Sequence, residues 1–224
     1  MRQAREKFAR WAATGKDDDG RPLAEPRRRR AAALAEMYRA TLPEMGALRN
    51  TPPELTLTDK LVLHRGERRI EIRWLGRGNT RGDLVVVLPK ERIAATGDLL
   101  VYPIPFGIGS YYADWIGTLG RVDSLDATTL VPGHGPVLRD RTYLHQVQGL
   151  LRALVDSARA VVATGGALEE AQRRITLPDW KRTLAGDDPI RQRAFDGFFI
   201  APAVERAWRQ ARGEPDDETA PTDR

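Results

Sequence analysis

The sequence predicts an α/β fold, and three observations carry that prediction. Leu84–Leu88 is an unbroken apolar run rich in β-branched valine, long enough for a buried strand, and a second short β-rich run at residues 92–96 follows the polar turn Pro89-Lys90-Glu91. Residues 68–74 alternate charged side chains with Ile70, Ile72 and Trp74, the period of a strand with one face in a core. Residues 141–164 then change period: Leu144, Val147, Leu151, Leu154, Ala158 and Val161 recur at helical spacing until Gly165-Gly166 stops them. Such a helix needs a sheet to cover.

Composition sets the bounds. The 224 residues are 41% hydrophobic and 30% charged, which suits one globular domain with a helical appendage. With no cysteine, disulfides, thiolate zinc sites and cysteine nucleophiles are excluded. No apolar run approaches a membrane span, so no membrane partner is expected. Met1 is followed by charged and aromatic residues rather than an apolar leader, which reads as cytoplasmic for the chain as written and leaves export of a longer parent open. The net charge of +5 comes from an arginine-rich composition typical of a GC-rich bacterial genome. The one tight basic cluster, Arg27 to Arg30, leads into an alanine-rich helix without interleaved aromatics, which argues against nucleic-acid binding.

In order, residues 2–14 read as an amphipathic helix closed by Gly15, with Phe8 and Trp11 on one face. After a turn cluster at residues 16–22, a second helix begins near Pro26 and runs to Leu42, with Leu34, Met37, Tyr38 and Thr41 in line. This hairpin needs a partner surface to bury Phe8, Trp11 and Tyr38. Thr51-Pro52-Pro53 ends it, and strands are expected at 54–58, 60–64 and 68–74, with His64 at a hairpin edge. Beyond residue 98, a stretch of aromatics, prolines and glycines leads to a short helix from Asp114 to Val122, then to a β-rich run at 128–131. After the long helix, in which His145 lies beside the apolar stripe, short helices are expected at 167–174, from Asp188-Pro189 to about Phe195, and from Pro202 to about Arg212. The expected organisation is a helical segment at 1–50, an α/β domain at 51–175, helices at 176–212 packing on it, and a disordered tail at 213–224.

Two stretches carry the chemistry. The run at 92–96 ends in Gly97-Asp98, a carboxylate presented at a strand end, and the run at 128–131 leads into Pro132-Gly133-His134-Gly135-Pro136, an imidazole in a loop stiffened from both sides. A carboxylate and an imidazole so placed are a plausible ligand pair for zinc or a similar ion. Together with the turn Gly78-Asn79-Thr80-Arg81-Gly82-Asp83, these stretches resemble the later metal-binding motifs of the metallo-β-lactamase-fold hydrolases, in the family's order. Two departures stand out. Asn79 occupies the position of the family's histidine, and the first signature, His-x-His-x-Asp-His, is absent, the only histidines being His64, His134 and His145.

The resemblance implies the C-terminal half of an αββα sandwich, preceded by a helical hairpin and followed by helices. It implies a longer parent whose metal-activated water hydrolyses a small-molecule ester, thioester, lactam or related bond. Asp98 and His134 would be metal ligands and Asn79 a degenerate metal position, so that the parent favours a single metal. Thr80, Gly78, Gly82, Gly133 and Gly135 would support ligand geometry. Tyr102, Phe106, Tyr111 and Tyr112 would form an apolar substrate wall at the site's mouth. This chain, lacking the first motif, is expected to be inactive and to bind zinc weakly or not at all. Val85, Val87 and Ile93, on a sheet left uncovered, are expected to drive self-association. A non-catalytic interaction module, or a basic nucleic-acid-binding protein that kept the fold, are the alternatives.

Overall fold

A computed structural model describes residues 2–49 and 51–215. From residue 216 onward, the tail expected to be disordered lies outside the described residues. The chain divides into two compact units, Met1–Thr56 and Leu57–Arg224.

The first unit is a pair of helices, α1 (Arg2–Thr14) and α2 (Glu25–Ala47). Phe8 is their shared contact: it stacks on Tyr38 of α2 at 6.1 Å and meets Trp11 edge-on at 5.8 Å. The aromatic faces are thus half-buried within the hairpin itself. Asp18, in the connecting turn, accepts hydrogen bonds from the Trp11 indole and Arg10, and pairs with Lys7 at 2.8 Å. These donors hold its carboxyl well below the usual carboxylate range, Lys7 foremost. Helix α2 passes through Pro43 instead of ending at Leu42. Residue 39, whose carbonyl loses its donor there, is exposed, so water can replace the missing bond.

The second unit is built on a five-stranded sheet in the order β1-β2-β3-β4-β5. These are Lys60–Arg65, Arg68–Trp74, Leu84–Leu88, Ile93–Val101 and Thr129–His134. The first three pairings are antiparallel, whereas β4 and β5 run parallel, joined by a crossover through α3 (Tyr112–Asp123). The strand expected at 54–58 does not form: Pro52 and Pro53 offer no amide donors, and Leu55 is 67% exposed. Strand β4 runs beyond Thr96 to Val101, because β5 accompanies it along that length.

The sheet's two faces differ. On one, Val85, Val87, Ala94 and Leu130 join a single core with Trp115 and Leu119 of α3 and Leu144, Val147, Leu151 and Leu154 of α4 (Thr142–Ala163). Full burial of each such leucine contributes about 1.5–3 kcal/mol, and the entire predicted stripe of α4 is buried. The expectation that Val85 and Val87 lie under-protected is therefore corrected: they are 0% and 5% exposed, because they point towards the helices. The opposite face carries the alternate residues. There Leu61, Ile72, Val86, Ala95 and Val131 stand opposite one another across all five strands, each half-buried, and the pair Trp74–Leu84 is exposed. Ile93 belongs to this face and is half-buried.

Beyond α4 come α5 (Leu168–Arg174), α6 (Pro178–Ala185), α7 (Pro189–Ala194) and α8 (Ala201–Ala211). Helix α6 has no counterpart in the sequence reading. Helices α7 and α8 are joined without a break by a π-helical turn, Phe195–Ile200. Among the described residues no helix is long and apolar enough to cross a membrane.

Among the described residues, one charged side chain of the sheet is buried. Glu71 is buried on β2, and Arg73 and Arg69 bond its two oxygens. Burial alone would raise its pKa, but the Arg73 hydrogen bond and the charges of Arg73, Arg69 and Lys60 bring it below the ordinary value. Arg73→Ala is expected to destabilise the chain by about 1–3 kcal/mol, since it strips a partner from a buried carboxylate. A carboxylate with a depressed folded pKa stabilises above its unfolded value and loses that contribution as pH falls through the folded one. The stability gap between the two proteins, measured by denaturant unfolding, should therefore be full at neutral pH and shrink below about pH 4.

Candidate active site

The site forms where β4 and β5 run side by side. Their parallel register slips twice, between Ala95 and Gly97 and between Gly97 and Val101. Asp98 thus sits in an irregularity within β4, not at a strand end, and such irregularities re-aim side chains out of a sheet. Val101 lies opposite His134, and the Tyr102 amide donates to the His134 carbonyl at 3.1 Å. The outcome is a juxtaposition of two donors. Asp98 Oδ1 stands 3.7 Å from His134 Nε2, with the side chains 47% and 70% exposed. That is too long for a hydrogen bond.

Gly133 makes this approach possible. A Cβ there would fall 2.0 Å from Asp98 Oδ1 and 2.8 Å from the Gly97 carbonyl carbon, so only glycine lets the loop lie on the Gly97-Asp98 backbone. Gly135 packs against Tyr102 in the same way on the other side of the histidine.

The turn at 78–83 is a structural neighbour of this pair. The Thr80 amide and hydroxyl donate to the two oxygens of Asp83 at 2.8 and 2.9 Å, and the Gly82 amide donates to the Thr80 hydroxyl. Burial pushes the Asp83 carboxyl above its ordinary range against these bonds, and the nearby charge of Asp98 adds to the rise. Asn79 is buried, and its amide oxygen accepts from the Ser110 hydroxyl at 3.2 Å. The Gly78 carbonyl accepts from the Tyr111 amide at 2.8 Å. The turn therefore anchors the loop before α3.

Asp98 and His134 open onto a cleft of about 620 Å³. Its walls are Val101, Pro103, Ile104 and Phe106 on one side and Ile190, Ala194 and Phe198 on the other, with Asp188 and Arg191 at the edge. Of the four aromatics expected to form the wall, only Phe106 lines it. Tyr102 packs edge-on against Tyr143 at 5.0 Å. Tyr111 is buried with Arg77 over its ring, and Tyr112 is buried with its hydroxyl donating to the Gly107 carbonyl. Tyr111 and Tyr112 occupy the core, and Tyr102 is half-buried against it.

The second wall was missed in the sequence reading, although the run Phe195-Asp196-Gly197-Phe198-Phe199 carried a signal. Phe195 and Phe199 are fully buried, four residues apart, while Phe198 is 57% exposed. Pro202 has no amide to give to the Phe198 carbonyl four residues before it, and that carbonyl accepts from the Gly107 amide at 2.9 Å. The helix and the cleft loop are thereby tied together at the residue that faces the cleft. Asp188 caps α7, accepting from the Ile190 and Arg191 amides; these bonds, Arg191's first, lower its pKa.

The donor set can be tested against a metal. Two ligands of one tetrahedral zinc at about 2.1 Å stand about 3.4 Å apart, so the Asp98–His134 separation of 3.7 Å is near that spacing. The number of donors does not fit, since no group of three or more His, Cys, Asp or Glu side chains able to hold a metal occurs among the described residues. Structural and catalytic zinc sites take three or four protein ligands. Asp98 and His134 by themselves are fewer donors than such a site takes.

Gly133→Ala should lower stability by about 1–3 kcal/mol, the usual cost of forcing atoms into a filled space. Gly82→Ala, where a Cβ meets nothing within 4 Å, should change it little. Thermal unfolding of the two variants side by side checks this.

No protein-family model matches the chain, and no curated protein matches it by sequence. Solved structures do. The metallo-beta-lactamase from Pontibacter korlensis is 25% identical over 50% of this chain and 54% of that one, with a TM-score of 0.41. The stereoselective inverting sec-alkylsulfatase Pisa1 from Pseudomonas sp. is 14% identical over 78% of this chain and 29% of that one, with a TM-score of 0.55. A metallo-beta-lactamase family protein from Thermus thermophilus is 20% identical over 81% of this chain and 60% of that one, with a TM-score of 0.47. The chain thus spans about half of the first of these and under a third of the second. The mixed sheet, the parallel β4–β5 pair and the helical layer on one face make an α/β fold that this chain shares with the alkylsulfatase structure.

Proposed function

We propose that this chain supplies the Asp98–His134 side of a metal-dependent hydrolase of small molecules, and that the remaining ligands come from a His-x-His-x-Asp-His segment outside it. The observation that carries this reading is the Asp98–His134 pair itself, held 3.7 Å apart by adjacent parallel strands and open to a cleft. Within the completed site, Asp98 and His134 hold the ion, which is zinc or another divalent metal. Gly133 keeps the two in register, and the cleft walls receive the rest of the substrate. Asn79 holds the loop before α3 through Ser110 and adds no ligand. The bond cleaved is an ester, thioester, lactam or related group. The chain without its complement is inactive.

Zinc titration by calorimetry tests this reading. The isolated chain should bind no tighter than micromolar, since two donors are present where three or four are needed. His134→Ala should remove even that binding, and adding a polypeptide that carries the complementary motif should tighten it by orders of magnitude. Stoichiometric nanomolar binding by the chain alone would overturn it.

The apolar row across the sheet supports a second reading, in which the chain serves as an interaction module. Leu61, Ile72, Val86, Ala95 and Val131 present an apolar band with Trp74 and Leu84 at its exposed edge. The purified chain should self-associate through this face. Val86→Glu should shift light scattering towards the monomer, whereas Val85→Glu, on the core face, should unfold the protein.

A further inference from the structure

We infer that the cleft beside Asp98 and His134 selects amphiphilic molecules, binding an alkyl or aryl body along the Phe106–Phe198 wall with a neutral polar head towards the Asp98–His134 pair. The inference goes beyond the hydrolase reading: it concerns what the metal-free chain binds in this cleft, and it shares with that reading only the positions of Asp98 and His134.

Large apolar side chains are rarely left in water without a use when they cluster. Phe106 is 39% exposed, Ile190 is 70% and Phe198 is 57%, and all three line this one cleft. Phe106 and Phe198 come from different elements yet lie 6.1 Å apart. Their mutual position is built in two ways. Gly107 donates to the Phe198 carbonyl at 2.9 Å. A Cβ at Gly107 would also fall 2.9 Å from the Phe199 carbonyl oxygen, so the loop backbone rests on the helix backbone. The π-helical turn sends Phe195 and Phe199 into the core while Phe198 faces the cleft, and such turns are frequent at functional sites.

The charges around the cleft choose the head. Asp98 and Asp188 face it with Arg191, and Arg191 pairs with Asp188 at 3.5 Å. With that pair satisfied, the remaining charge is the Asp98 carboxylate, which repels an anionic head and accepts hydrogen bonds from a hydroxyl. A neutral hydroxyl-bearing head on an apolar tail therefore matches the cleft in the chain as it stands. Apolar contacts along the wall then set the affinity, which should rise with tail length.

Ethyl, hexyl and octyl glucoside, which differ only in the tail, test this by calorimetry on the full chain below micelle-forming concentrations and without metal. Octyl glucoside should bind about 4- to 16-fold tighter than hexyl glucoside, about two- to four-fold per added methylene. Ethyl glucoside should show no binding. Phe198→Ser and Ile190→Ser change exposed side chains and should leave thermal unfolding unaltered, yet each should weaken octyl glucoside at least about five-fold. Equal affinity for the three glucosides, no binding by any of them, or full binding by folded Phe198→Ser would overturn the inference. Because no metal is present, these outcomes are independent of the zinc titration, and either reading can fail while the other stands.

Discussion

The site depends on one backbone contact, the close passage of the Gly133 loop over Gly97 and Asp98. Parallel strands normally space their side chains evenly, which would leave a carboxylate on β4 and an imidazole at the end of β5 without a defined relation. The register slips between Ala95 and Val101 bring the two chains into a different alignment. The missing side chain at Gly133 then lets the backbones touch, and the Tyr102 amide clamps the histidine's own carbonyl. Everything that places donors over the cleft passes through this contact.

Around it the structure divides its labour by face. Alternation along the strands puts Val85, Val87 and Ala94 under α3 and α4 and puts Val86, Ala95 and Ile72 on the other side. The first set forms a dense core with the stripe of α4. The second set is apolar without being fully buried, which is unusual for a face directed only at water. A sheet apolar on both faces belongs between two layers, and the helical layer within the second unit accounts for one of them.

The cleft shows how a helix interruption can be put to use. Proline at position 202 withholds a donor from the helix, a π-turn takes up the change of phase, and a loop amide satisfies the carbonyl left over. Each event is local, yet together they join the loop after Asp98 to a helix almost a hundred residues away. The tyrosines before α3 fall into the core for a related reason. Loop 102–111 must fold under itself to reach both the turn at 78–83 and the helix, and its bulkiest side chains fill the space beneath.

Residue order alone determined much of this. The periodicities of residues 68–74 and 141–164 marked β2 and α4 because side-chain period is a property of the local backbone. Gly97-Asp98 and Pro132-Gly133-His134-Gly135 marked the two donors, since glycines and prolines advertise unusual backbone wherever they lie. Tertiary structure alone decided the rest. That Tyr111 and Tyr112 are core while Phe198 is wall reflects which way the chain turns after each. Local sequence states what a side chain prefers to touch. Only the packed chain decides what stands next to it, because burial and strand pairing depend on residues far away in the sequence.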